Sequence, residues 1–208
     1  METNPTPYLP LVVGITGHRN ICSDDKLKLT AKINDFFNYL ETTYPNTPLL
    51  VLSPLAEGAD RLVAEIAFAR GIEVIAPLPF DSQLYEKDFI SDESRNEYKY
   101  LLKKAKYSFE LPLLEGSSYE EISEHGPARD KQYALVGSYI ARHCQILLAL
   151  WDGIPLDLVG STAMIVRFKV EGIPYPYIQQ NPLDIVESGP VYHIVTPREG
   201  KYKELKEK

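Results

Sequence analysis

A chain of 208 residues with 44 % hydrophobic and 25 % charged residues can bury a core, which excludes global disorder and suits a single domain over 1–208. Its formal net charge of −7, with no basic block to offset it, argues against nucleic acid as a partner. Cys22 and Cys144 are too few for a disulfide framework or a zinc ribbon, the N-terminus lacks signal-peptide regions, and no apolar run approaches the ~20 residues of a membrane helix. The expectation is a cytoplasmic chain with no membrane segment, flexible over 1–10 and 198–208, whose charged tail at 201–208 leaves room for a longer protein.

The first element is a strand over Val12–Thr16, an apolar run that stops at Gly17-His18-Arg19. Ser23-Asp24-Asp25 supplies helix-cap chemistry. Leu29, Ile33, Phe36, Phe37, Leu40 and Tyr44 then recur at the spacing of one helical face. A second strand, Leu49–Ser53, runs into the Glu57-Gly58-Ala59-Asp60 turn. The helix after it places Leu62, Val63, Ile66 and Ala67 inward and closes at Gly71. A third strand covers Glu73–Ala76. Asp81–Lys106 reads as one or two helices with Leu101, Leu102 and Ala105 inward, followed by a fourth strand over Tyr107–Leu111.

Residues 114–126 read as an exposed loop and Pro127–His143 as a helix. Gln145–Trp151, the most apolar stretch, reads as a central strand. Gly160–Gly172 is a helix, Tyr175–Pro190 is irregular and Val191–Val195 is a last strand. Strands alternating with helices predict α/β architecture: an open, mainly parallel sheet with helices on both faces. The alternative, an α+β fold with antiparallel strands, lacks two-residue hairpin signals here.

Three glycine turns after strands carry the candidate chemistry. Gly17 lets the backbone turn close to a ligand, and Arg19 offers a planar fork that fits phosphate, with His18 beside it; a plain turn with a surface ion pair reads the same way. Gly58 opens the second turn. Glu57 or Asp60 can accept from ribose hydroxyls, or Asp60 can simply cap its helix, and Arg61 reads as a surface ion pair. At Gly160-Ser161-Thr162 free N–H groups and two hydroxyls form an anion site or an ordinary N-cap.

Asp152 ends the central strand, where Asp-Gly is also turn chemistry. Arg129, Gln132 and Tyr133 share a helical face that suits base or rim contacts, as does any amphipathic surface. Tyr85 and Asp88 follow the third strand and reach the same rim. No metal pattern, Walker lysine or Ser-His-Asp elbow is present, so no metal and no required cofactor is expected.

Thr16-Gly17-His18-Arg19, Ser53-Pro54-Leu55-Ala56-Glu57-Gly58-Ala59-Asp60 and Ala149-Leu150-Trp151-Asp152-Gly153 with Gly160-Ser161-Thr162-Ala163 together resemble the SLOG superfamily. That superfamily groups the Lonely Guy and lysine-decarboxylase-like phosphoribohydrolases, the DprA-type Rossmann domain and many bacterial nucleotide-sensor domains. The closing segment Gly189–Pro197 is similar to that of its bacterial branch. The resemblance covers roughly 12–172. It implies a Rossmann-like sheet with a nucleotide-derived ligand at the C-terminal strand ends. Gly17 and Arg19 would line the first loop, Gly58 and Asp60 the second, and Gly160, Ser161 and Thr162 would cradle a phosphate. It also implies homo-oligomers and sensing, as in bacterial defence systems.

The phosphoribohydrolases carry Pro-Gly-Gly-x-Gly-Thr-x-x-Glu, and aligning its threonine on Thr162 puts Ile165 in the glutamate's place. Isoleucine cannot stabilise an oxocarbenium-like charge. The expectation is therefore a nucleotide-binding sensor. The alternatives are a hydrolase of nucleoside monophosphates or related N-glycosides, with Glu57 or Asp60 as its catalytic carboxylate, and an interaction module with a vestigial pocket.

Overall fold

A computed structural model describes residues 9–178 and 188–198. The charged tail at 201–208, most of the two flexible-end expectations and the middle of 175–190 lie outside the described residues. Six strands form one all-parallel sheet in the order β4-β3-β2-β1-β5-β6. They are β1 (Leu11–Gly17), β2 (Leu49–Leu52), β3 (Glu73–Leu78), β4 (Tyr107–Glu110), β5 (Ile146–Trp151) and β6 (Val191–Val195). The α/β expectation holds, and the antiparallel alternative falls.

The helices are α1 (Lys26–Thr43), α2 (Ala59–Ala69), α3 (Ser82–Glu86), α4 (Asp92–Lys104), α5 (Tyr119–Ser123), α6 (Pro127–His143) and α7 (Thr162–Glu171). Right-handed crossovers put α1, α2 and α4 on one face of the sheet and α6 and α7 on the other. Each face buries its own core. On the first, Leu29, Ile33, Phe36, Phe37 and Leu40 of α1 meet Val13, Ile15 and Val51. On the second, Ile140, Ala141, Ile165 and Phe168 meet Leu52 and Leu147. Successive strand residues point to opposite faces, so central strands buried on both sides are apolar throughout.

Chain direction across the sheet reverses between β1 and β5. The chain steps outward from β1 to β4, then returns to β1's other side. In open parallel sheets a crevice forms at the carboxyl ends beside such a reversal.

Local details depart from the sequence reading in four places. Residues 114–126 are not all loop: Ser118 and Glu121 form a capping box that starts α5, and Ile122 is fully buried. β3 continues through Pro77 to Leu78, because pairing with β2 has ended at Ile75 and one side of the strand no longer needs donors. Tyr44 lies beyond α1 and is exposed. Arg61 is buried; its Nε donates to the Leu55 carbonyl (3.1 Å), its Nη1 pairs with Glu97 (2.6 Å), and the guanidinium stacks 4.3 Å from the Phe89 ring centroid.

Candidate functional site

The carboxyl end of β1 is fixed on both sides before any ligand is considered. The His18 N–H donates to the Leu150 carbonyl and the Ala59 N–H donates to the His18 carbonyl, each at 3.0 Å. A Cβ on Gly17 would lie 2.3 Å from the Ala59 Cβ and 2.7 Å from the Leu150 carbonyl oxygen. One on Gly58 would lie 2.2 Å from the Arg19 carbonyl oxygen, and Gly58 sits at φ 78°, ψ −117°, a conformation open mainly to glycine. Both glycines thus let the β1 turn, β5 and the start of α2 touch backbone to backbone.

On the β5 side the polar groups close on one another. His18 Nε2 accepts from the Asp152 N–H (3.0 Å), and Arg198 Nε lies 3.2 Å from the same nitrogen and 3.0 Å from Asp152 Oδ2. Asp152 Oδ1 accepts from the Ile154 N–H (3.1 Å). Burial holds the His18 imidazole below its ordinary pKa; the Arg198 cation adds to this, and the opposing Asp152 carboxylate does not overcome it. A neutral ring with two donors at Nε2 carries its proton on Nδ1. An isolated bridge between Ile21 and Arg198 ties the C-terminal strap to the turn.

On the β2 side the groups do not close. A cleft of about 90 Å³ runs under the β1 turn between the sheet, the starts of α2 and α7 and the middle of α6. Ile15, Val136, Gly137, Ile140 and Ile165 line it with apolar surface. Thr16, Arg19, Asp60, Tyr85, Tyr133 and Thr162 bring polar groups. The Arg19 guanidinium lies 5.2 Å from the Tyr133 ring centroid and forms no ion pair or hydrogen bond among the described residues. Asp60 is 7 % exposed, and its Oδ1 is buried with no hydrogen-bond partner among the described residues.

These environments set the charges. Burial pushes the Asp60 carboxyl up to about 7, although Arg19, the Ala56 N–H and Arg61 favour its anion. Burial opposes the charge on Arg19, but Tyr85, Tyr133, Asp88 and Asp60 together hold its pKa above the ordinary value. Tyr85 is pushed well above the usual tyrosine range, chiefly by burial, so its hydroxyl keeps its proton.

The other expected site residues fall in three groups. Arg129 and Gln132 are turned inward and occupied. Arg129 pairs with Asp88 (2.6 Å), donates to the Tyr133 hydroxyl (2.7 Å) and lies 4.4 Å from the Phe80 ring centroid. Gln132 donates to the Pro79 and Pro112 carbonyls (2.6 and 2.9 Å) and accepts from the Leu114 N–H (3.1 Å). Of that helical face, Tyr133 alone reaches the cleft.

Ser161 acts as the N-cap of α7, accepting from the Met164 N–H (3.2 Å), while Gly160 and Thr162 line the cleft. Glu57 points away from it, accepting from the Ser94 hydroxyl in an open groove of about 590 Å³ that Arg19, Glu93 and Glu97 also line. Of the apolar floor supplied by Val136, Ile140 and Ile165, the sequence singles out Ile165 alone, at the glutamate's place. The only sequence signal of the rest is small and branched residues at helical spacing, which any core produces.

No protein-family model matches the chain, and no curated protein matches it. Among solved structures it is similar to DNA processing protein A (DprA) from Streptococcus pneumoniae, with 14 % identity over 75 % of this chain and 45 % of that one, and a TM-score of 0.47. The chain spans less than half the length of that structure. Among the described residues no helix is long and apolar enough to cross a membrane, and no group of three or more His, Cys, Asp or Glu residues is placed to hold a metal ion.

Proposed function

We propose that the domain binds a nucleotide or nucleotide-derived ligand at the carboxyl ends of β1 and β2 and acts as a sensor of the SLOG type. One observation carries this reading: Arg19 and Asp60 line one cleft, Arg19 with no ion pair or hydrogen bond and Asp60 with no donor at Oδ1 among the described residues. A buried carboxyl oxygen without a donor is costly to leave idle in a folded domain, and the exposed Arg19 guanidinium beside it is free to meet an incoming anion. The cleft is well below the ~300–1,000 Å³ that encloses a whole small-molecule ligand, so it takes one end of the ligand and leaves the rest outside. The adjoining groove continues from Arg19 and is acidic, with Glu57, Glu93 and Glu97. Carboxylates accept from ribose hydroxyls and repel further phosphates, which favours a mononucleotide over a polynucleotide. Ligand occupancy would change assembly between copies of the chain.

The hydrolase alternative has lost ground at residue 165. Ile165 forms part of the apolar floor, and Glu57 is engaged by Ser94 outside the cleft, which leaves Asp60 as the only carboxyl among the lining residues. The test is a thermal-shift screen of purified protein against mononucleotides, cyclic nucleotides and ADP-ribose-like compounds, repeated on Arg19→Ala and followed by assay for released base. At a hundredfold excess over the dissociation constant, binding stabilises the fold by about 2.7 kcal/mol. A shift that Arg19→Ala loses, without base release, supports the sensor; base release supports the hydrolase. No shift from a well-folded protein leaves the interaction module.

A further inference from the structure

We infer that the cleft is a subsite for a single oxyanion, held from one side by the Arg19 guanidinium and from the other by the protonated carboxyl of Asp60 acting as a hydrogen-bond donor. This rests on the reading above and assigns the two residues opposite parts in it. Both groups line the same cleft, and they do not pair with each other across it. The cleft, about 90 Å³, is the size of a group of a few heavy atoms. An anion in the cleft takes hydrogen bonds from Arg19 and, if Asp60 carries its proton, from the Asp60 carboxyl, which turns its shielded Oδ1 toward the anion. A carboxylate there would repel the same anion.

The surroundings favour the acid. Asp60 is buried, its Oδ1 receives no N–H or O–H, and the floor beneath is apolar. The charged and titratable groups around it are Arg19 from the β1 turn, Arg61 from its own helix and Tyr85 from α3. Tyr133 and Asp88 act on it through Arg19. Asp88 is neutralised by Arg129; Arg61 is paired with Glu97, its Nη2 is buried without a hydrogen-bond partner among the described residues, and it does not line the cleft, so Arg19 is the one cation of this set at the cleft. The carboxyl's raised pKa, about 7, agrees with that arrangement.

The experiment uses anions that do not themselves titrate near neutrality: sulfate and a 3′,5′-cyclic mononucleotide. Each is titrated calorimetrically into the whole chain at pH 6, 7 and 8 and constant ionic strength. Wild-type affinity should be about tenfold weaker at pH 8 than at pH 6, the loss expected when one proton with a pKa near 7 must be bound for the ligand to bind. Asp60→Asn, which keeps a donor in place without titrating, should bind at every pH as the wild type does at pH 6. Arg19→Met should bind neither anion.

A free oxyanion as the natural ligand predicts similar affinities for the two probes; a nucleotide predicts that the cyclic nucleotide binds more tightly. Either result, with the pH slope, supports the subsite. Arg19-dependent binding that is flat or tightens with pH overturns the donor role of Asp60 and leaves the nucleotide-binding reading standing. Loss of binding in Asp60→Asn at pH 6 overturns it too. No binding of either anion by folded wild type at any pH overturns the subsite, and the wider nucleotide screen decides the nucleotide-binding reading separately.

Discussion

Two polar clusters flank the end of β1, and they are built to opposite plans. On the β5 side, His18, Asp152 and Arg198 satisfy one another and tie three distant segments together. On the β2 side, Arg19 and Asp60 stand beside an apolar floor with unused hydrogen-bonding capacity. Each cluster contains a residue type that serves as a ligand or catalytic group elsewhere. Residue type at a strand end therefore does not distinguish the two clusters; unsatisfied hydrogen-bonding capacity at a concave surface does.

The contrast can be broken most violently at its joint. Gly58→Ala forces a side chain into the Arg19 and His18 carbonyls at a backbone conformation it cannot relax into. The expected loss is about 4 kcal/mol, read by urea unfolding, and a loss below about 1 kcal/mol would mean the joint is soft.

The open cluster should respond to Asp60→Asn with a gain. The folded carboxyl pKa of about 7 lies above the 3.8 of an unperturbed group, so folding takes up a proton between these values. Its contribution to stability is intact below about pH 4 and is lost as pH rises through 7. At pH 8 the wild type carries a buried charge that Asn lacks, a difference of about 4 kcal/mol at most. The melting temperature of Asp60→Asn should exceed that of wild type at pH 8, with the gap narrowing from pH 7 toward pH 4. A variant no more stable than wild type at pH 8 would place the carboxyl in a more polar setting.

The closed cluster should respond in the reverse sense. Asp152→Ala strips Arg198 and the Ile154 N–H of their acceptor and should cost about 2 kcal/mol by chemical denaturation, without abolishing ligand binding. The smallest stability effect belongs to Arg19→Ala. It gives up one exposed cation–π contact, about 0.5–1 kcal/mol, yet it should erase the nucleotide thermal shift. If Asp152→Ala removed binding and Arg19→Ala did not, the two clusters would have to exchange roles.

Much of the fold is legible because parallel strands buried on both faces write themselves as unbroken apolar runs. Leu11–Gly17 and Ile146–Trp151 are of this kind, and Lys26–Thr43 shows its buried stripe directly. The capping box at Ser118 was equally legible but sits in a charged stretch that draws attention to its polarity. The site is less legible. Arg19 and Asp60 stand out as glycine-turn residues, but nothing local says that Arg129 is claimed by Asp88, 41 residues away, or His18 by Arg198, 180 residues away. Arg61 misleads for the same reason. Its partners Ser94 and Glu97 come from α4, so a buried arginine looks like a surface one in sequence.

Ile165 also has a partner the sequence does not announce. A Cβ at residue 137 would fall 2.2 Å from the Ile165 Cδ1, so the branched side chain fits the cleft floor only because its neighbour on α6 is glycine. In evolutionary terms the two positions form one character. A lineage that gains a side chain at 137 must shorten or redirect residue 165. Across relatives of this chain, residues 137 and 165 should therefore change together.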